Sequence, residues 1–495
     1  MLFNSYIFVF LFFPICLIGY YSLLRARQVR AAKVFLIGMS FWFYGYFNLS
    51  YLLIMVCSIG GNYIFHRILS RRPDKRLMVV AVAANLGVLF YFKYVDFFLS
   101  AVNGAFGMSF ALRGILLPLG ISFFTFQQIS FVVDTYSGEV KDCPLIDYAL
   151  FVAFFPQLIA GPIVSHDEML PQFRQMGGKA VDWEQIARGL ALFILGMTKK
   201  VLLADTFGAA VDYGYGSIAL LGRLDVLLVQ VFYLLQIYFD FSGYCDMARG
   251  IGWMLGMEIT VNFDSPYKAV NIAEFWRRWH MTLNRFFTRY VYIPLGGNRK
   301  GQVRMYGNLM MVFLLSGLWH GAGWTYLVWG MLHGILYVLT RWWLKNVKPR
   351  FVKKSSPNPV MTWVSRVALF LFLGLALIYF RSESIGQAHQ MFGALFHGPL
   401  QNVTQVSSDL AACFQLDEFW YVLKVLRLDG MKYSRHILMW LILVTGIYLT
   451  MIGPNAVQRV EKMKCRIGSV AVFAVLAVWC VLTFSEVSIF LYYNF

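Results

Sequence analysis

LLSGLWHGAGW, residues 314–324, is apolar almost throughout, yet it carries a histidine at its centre. The stretch is one of a series of apolar runs, centred near 2–23, 34–47, 50–65, 77–99, 114–135, 146–163, 186–203, 224–257, 305–320, 322–344, 363–380, 437–453 and 467–486. A helix needs about 20 apolar residues to cross a bilayer. The repetition therefore predicts an all-α polytopic membrane protein, with about eleven crossings plus re-entrant and interfacial helices. A transmembrane β-barrel would alternate apolar and polar residues in pieces of about ten, and this chain does not. His320 is then either a buried hydrogen-bonding residue or the reactive group of a site.

Composition agrees. Of the 495 residues 59% are hydrophobic, 18% aromatic and 14% charged, against roughly 25% charged in soluble domains. The first run starts at Met1 with no basic segment before it, and Leu24-Arg25-Ala26-Arg27 is no cleavage site, so it reads as a retained helix. The net charge of +18 collects in short loops between apolar runs rather than in a base-stacking stripe, which argues for a lipid bilayer and against nucleic acid. The seven cysteines are scattered without a C-x-x-C pair and suggest neither disulfides nor zinc.

The basic loops set an orientation. Arg25, Arg27, Arg30 and Lys33 form one, and Arg67, Arg71, Arg72, Lys75 and Arg76 another. Lys345, Lys348, Arg350, Lys353 and Lys354 make a third, and Arg459, Lys462, Lys464 and Arg466 a fourth. All are cytoplasmic by the positive-inside rule, leaving the polar connection 381–436 outside. The chain reads as a single membrane domain over 1–495. Glycine and proline interrupt the apolar stretches LLPLGISFF (116–124) and FFPQLIAGPI (154–163), as kinks or as a re-entrant wall around a site.

A basic segment, EFWRRWHMTLNRFFTRYVYIPLGGNRKG (274–301), stands apart. Phe275, Trp279, Leu283, Phe286, Phe287 and Tyr290 recur at steps of three and four, one helical stripe. Arg277, Arg278, Arg285, Arg289, Arg299, Lys300 and Arg304 supply seven positive charges without an intervening acid. A basic amphipathic helix of this kind lies in the inner interface. Anchorage explains the arginines but not His280, whose spacing from Trp276 and Leu283 points it into the stripe. Aromatic neighbours there favour a neutral imidazole, able to accept or donate a proton.

His280 and His320 have no H-x-x-x-H, H-E-x-x-H or Cys/His companions, so no metal is expected at them. His333 lies 13 residues beyond His320 and shares the cavity or only packs. Ser316 is one turn before His320, but no G-x-S-x-G elbow exists, so the nucleophilic hydroxyl is expected from the acceptor. Asp240 and Asp246, inside an apolar run, are costly there and are read as structural, one pairing with Arg249 or a loop arginine.

Five stretches together resemble one family: LPLGISFFTFQQISFVVDTYSGE (117–139), FFPQLIAGPIVSHDEMLPQF (154–173), QIYFDFSGYCDMARGIG (236–252), FWRRWHMTLNRFFTRYVYIPLGGNR (275–299) and SGLWHGAGWTYLVWGMLHG (316–334). The family is the membrane-bound O-acyltransferases, in the bacterial branch of alginate O-acetylation and teichoic-acid D-alanylation. The ending FLYYNF (490–495) is similar to that branch too.

The resemblance implies a ring of helices thinned at its centre, where a cytoplasmic tunnel and an outer funnel meet. It implies acyl transfer from a thioester to a hydroxyl, with His320 of W-H-G in the catalytic role and His280 of R-W-H as the second histidine. No permanently bound cofactor is implied. The donor, acetyl-coenzyme A or an acyl carrier protein, is a substrate. Trp276, Trp279, Ser316, Trp319, Gly321, Trp324 and His333 are expected to line the donor and acceptor channels. Arg277, Arg278, Arg285 and Arg289 would dock an anionic carrier or lipid headgroups. The missing side chains of Gly317, Gly321 and Gly323 would let donor and hydroxyl approach the imidazole. The activity implied is O-acetylation of an extracytoplasmic polysaccharide such as alginate, cellulose or peptidoglycan, from the bacterial inner membrane. A separate periplasmic SGNH-type transferase is the implied partner. The competing reading is an acyl-group channel or transporter feeding that partner, which shares the broken helices and intramembrane charges.

Overall fold

The computed structural model describes residues 1–178, 181–347, 358–415, 420–421, 424–427, 433–464, 466–486 and 490–491. Lys348, Arg350, Lys353 and Lys354 of the third basic loop, parts of the 381–436 connection and the final 492–495 lie outside them. Among the described residues all regular structure is helical. Lipid demands this, because only a helix satisfies its own backbone within one segment. Six of these helices are long and apolar enough to cross a membrane: Phe8–Arg25, Leu49–Arg71, Lys75–Lys93, Arg223–Met254, Pro359–Arg381 and Ser434–Met451. Val95–Phe106 and Ile467–Leu482 are shorter apolar helices. In Lys75–Lys93 only 17% of the apolar window is buried, and Val79, Val80, Leu86 and Phe90 face outward. Acyl chains tolerate such a surface at no cost, and the chain is a multi-pass membrane protein.

Local chemistry starts these helices where the sequence turns polar. Asn48, Asp74, Asn358 and Ser384 each accept a backbone N–H from the first turn that follows, and Pro359 occupies the first turn after Asn358.

The chain divides into two compact units. The first comprises Met1–Met197, Tyr244–Asn262 and Met463–Phe495. Its core includes the rings of Phe3, Phe8, Phe12, Phe43 and Phe155. Asn62 and Asn85 join two spans by reciprocal amide hydrogen bonds of 3.0 and 2.6 Å, both buried. The two glycine- and proline-broken stretches meet here. Gly120, at φ +68°, opens the Ile121–Tyr136 helix, and a Cβ on it would lie 2.9 Å from the Leu158 carbonyl oxygen. Residues 154–164 are buried throughout and hold only the short helix Phe155–Leu158. They are irregular backbone covered by protein, as a bilayer requires.

The second unit comprises Thr198–Gly243 and Phe263–Lys462. Its buried charge is Lys200, whose ammonium donates to Asp240 and Asp205 at 2.8 Å each. Asp240 thus pairs with a lysine 40 residues away. Arg249 instead pairs with Glu258 and donates to the Ile259 carbonyl, within the first unit. The partner of Asp240 was hidden because the pair is 40 residues apart. Asp225, fully buried, accepts from the backbone N–H groups of Gly222 and Ser407 and from the Gln401 amide, anchoring the 398–407 loop.

The basic segment is not one helix. Ile272–Arg278, capped by Asn271, ends at Trp279. His280 then adopts φ +43°, ψ +54°, and a second short helix follows at Met281–Phe287. A wide turn over Thr288–Tyr292 completes the segment. The three-and-four spacing spans this break, so periodicity alone joins two helices that the structure separates at His280. A left-handed non-glycine residue costs about 1–3 kcal/mol and persists only where its surroundings impose it.

Candidate functional site

Two helices of the second unit carry most of the site: Gln302–His320 and Trp324–Asn346. They close tightly because Gly317 has no side chain: a Cβ there would sit 2.4 Å from the Tyr326 carbonyl oxygen. His320 ends the first helix and is 1% exposed. Its Nδ1 lies 2.6 Å from the Ser316 carbonyl oxygen, one turn back. A carbonyl only accepts, so Nδ1 carries the proton and Nε2 presents a lone pair. Rings fix the imidazole on several sides: Trp319, Trp329 and Phe380 lie at 4.9, 5.1 and 5.4 Å between centroids.

His280 is brought to the same place. It is fully buried, edge-on to Phe241 at 4.8 Å, with Trp319 at 5.9 Å. Trp319 therefore touches both imidazoles. His333 is buried on the other flank, 4.6 Å from Trp329 and 5.5 Å from Trp276. Both of its ring nitrogens, and the indole nitrogens of Trp276 and Trp329, are buried with no hydrogen-bond partner among the described residues. Buried polar atoms are seldom left so, and four in one cluster make this a candidate seat for a polar group.

Beside the cluster is a cavity of about 280 Å³. Trp276, Ser316, Leu309, Val312 and Phe313 line it, together with Asn284, Asn298, Thr288, Tyr337 and Arg341. Ser316, whose carbonyl holds His320, is thus also part of its wall. The lining grades from aromatic and aliphatic side chains to an exposed guanidinium, a combination suited to an apolar arm with an anionic end.

Several expected lining residues lie elsewhere. Trp279 is not in the cavity wall; it packs with Phe263, Phe275 and Tyr267. Trp324 is 59% exposed, at the start of its helix. The space beside Gly321 belongs to Tyr326, not to substrate, since a Cβ would lie 2.0 Å from that ring. Gly317 is likewise filled by the neighbouring helix, while Gly323 meets Tyr326 only at ordinary contact. Gly321→Val should therefore lower Tm through overpacking, by about 1–3 kcal/mol of stability. Thermal unfolding in detergent measures it, and an unchanged Tm contradicts the packing role.

The arginines also separate. Arg278 is committed to Glu274 at 3.0 Å and Asp264 at 3.2 Å, acids that lie N-terminal to the basic run. Arg277 and Arg285 are exposed, and Arg289 is half-buried with its guanidinium over the Tyr290 ring. Sequence reasoning missed Trp329, Phe380, Tyr337 and Arg341. Trp329 had a signal, standing four residues before His333 on one helical face. Phe380 comes from a helix 60 residues beyond His320 and left none.

Comparison with known proteins gives a consistent picture. The model of the MBOAT, membrane-bound O-acyltransferase family matches residues 3–382. The chain is similar to a peptidoglycan O-acetyltransferase of Helicobacter pylori, 40% identical over 78% of this chain and 78% of that protein. It is similar to a probable alginate O-acetylase AlgI of Pseudomonas aeruginosa, 39% identical over 80% of this chain and 75% of that one. A teichoic acid D-alanyltransferase of Bacillus subtilis is 27% identical over 51% of this chain and 65% of its own length.

Proposed function

Because the chain belongs to the membrane-bound O-acyltransferase family, we propose that it moves an acetyl group from a cytoplasmic thioester to a hydroxyl, with His320 as the base. The observation that carries this reading is the pinned imidazole, with Nδ1 held on the Ser316 carbonyl and the cavity wall beginning at the same serine. The acceptor O–H gives its proton to Nε2 as its oxygen attacks the thioester carbonyl. The C–S bond then breaks, and the departing thiolate takes the proton back as a free thiol. Such base catalysis is worth about 10²–10⁴-fold. His280, held through Trp319, orients the acyl group beside His320.

The cavity takes the donor. Its apolar wall suits the thioester arm, and Trp276 in that wall offers an indole N–H that a donor with amide groups would satisfy. Arg341 with exposed Arg277 and Arg285 would receive the donor's phosphates or an acidic carrier. Arg278 is reserved for its own acids and plays no part in docking. The acceptor is a polysaccharide outside the membrane, reached directly or through a periplasmic SGNH-type transferase, and the membrane is the bacterial inner membrane. Peptidoglycan and alginate, for which the two relatives are named, are the first polymers to try.

Leu309→Trp places an indole inside the cavity. The variant should raise KM for acetyl-coenzyme A or the carrier at least about tenfold, since about 1.4 kcal/mol of donor binding is removed. An unchanged KM removes the donor from this cavity. Purified protein in liposomes loaded with labelled acetyl-coenzyme A separates enzyme from channel. Label on an acceptor or partner, dependent on His320, supports transfer; acetyl donor emerging intact supports a channel instead.

A further inference from the structure

A second cluster of chemistry-bearing side chains lies in the first unit, in residues the transfer reaction does not use. Asp134 stands near the end of the Ile121–Tyr136 helix, and its carbonyl accepts the N–H groups of Glu139 and Val140. The turn between them, with Gly138 at φ +79°, brings the Glu139 carboxylate back beside Asp134. His166 opens the His166–Arg174 helix, fixed by the capping box of Ser165 and Glu168. One ligand atom from each of Asp134, Glu139 and His166 lies within 4.8 Å of the others. Asp134 and His166 are buried, and Glu139 opens to solvent.

A simple ion pair does not explain the geometry. Nδ1 of His166 is 3.1 Å from Oδ2 of Asp134. Yet this nitrogen, on a residue only 9% exposed, makes no hydrogen bond. Two atoms that approach without donor and acceptor aligned are arranged as co-ligands are. Ligands about 2.1 Å from one ion lie about 3.0 Å apart at a right angle and about 3.4 Å apart at the tetrahedral angle. The observed 3.1 Å falls between.

The geometry points to a divalent metal site formed by Asp134, Glu139 and His166, occupied by a borderline cation of the Zn²⁺ or Mn²⁺ class. One imidazole with two carboxylates favours these over Ca²⁺ or Mg²⁺, which prefer all-oxygen shells. Water reaching the Glu139 side completes the coordination. The ion clamps the end of one helix to the start of another, far in sequence from His280 and His320, and takes no part in the acyl transfer. The absence of metal expected at those two histidines is a separate matter.

The test uses the full chain in nanodiscs, stripped with EDTA and dialysed against ZnCl₂. Elemental analysis should find a single Zn²⁺ retained per chain, and Tm should rise on its return. His166→Ala should retain none. Glu139→Gln, at an exposed position, should fold as before, keep the metal-free Tm and bind Zn²⁺ at least about tenfold more weakly, the loss that even an outer partner causes. Zn²⁺ held equally by wild type and Glu139→Gln overturns the site, whether or not His166→Ala folds. So does a wild type that retains no Zn²⁺, or one for which Ca²⁺ or Mg²⁺ raises Tm as far as Zn²⁺ and Mn²⁺ do.

Discussion

His320→Ala should lower acyl transfer by about 10²–10⁴-fold, the range for loss of a general base, at an undiminished level of protein in the membrane. The imidazole is enclosed by Trp319, Trp329 and Phe380, so alanine also leaves a hole. His320→Gln settles which loss matters. The glutamine side chain fills most of the space, but its amide cannot take a proton near neutral pH. Both variants should therefore lose activity alike, while only alanine lowers Tm. A glutamine variant that transfers acetyl normally would reduce His320 to a packing residue. Initial rates with labelled donor, corrected for protein by immunoblot, give the comparison.

Asp240→Ala should be as damaging for a different reason. Lys200 is 1% exposed and shares its charge between Asp240 and Asp205. Breaking a buried ion pair costs about 3–5 kcal/mol, and the Asp205 that still faces the ammonium places the loss at the lower end. Against total stabilities of about 5–15 kcal/mol, that is a loss of folded protein rather than of catalysis. Full-length protein in membranes should fall, and Tm in detergent should drop sharply. Lys200→Met combined with Asp240→Leu should recover much of the loss, because both fully buried charges are then gone and the remaining carboxylate, Asp205, is 21% exposed and reaches water. Asp240→Ala with normal Tm and reduced turnover would move this carboxylate from the scaffold to the reaction.

Much of this was legible in the sequence where chemistry and position coincide. Apolar runs became helices because lipid permits little else, and the Gly/Pro interruptions became broken backbone covered by protein. The two histidines stood out as ionisable groups among rings, and both are buried beside Trp319. The break in the helix at His280 was not legible. A left-handed residue inside a segment with unbroken three-and-four spacing leaves no compositional trace. The neighbour of Gly321 was not legible for a related reason. A missing side chain shows that something comes close, and at Gly321 that is the Tyr326 ring rather than a substrate. Lys200 and Phe380 answer to partners far along the chain, which only the fold reveals.

We propose that His320 takes the acceptor proton while the donor occupies the adjoining cavity. The most direct test is a single-turnover reaction of purified protein with labelled acetyl thioester and a hydroxyl acceptor, following thiol release and acetylated acceptor together. Both products should form in step with wild type, and both should fall by at least about 10²-fold with His320→Gln. Acetylated acceptor forming at the wild-type rate with His320→Gln would contradict it.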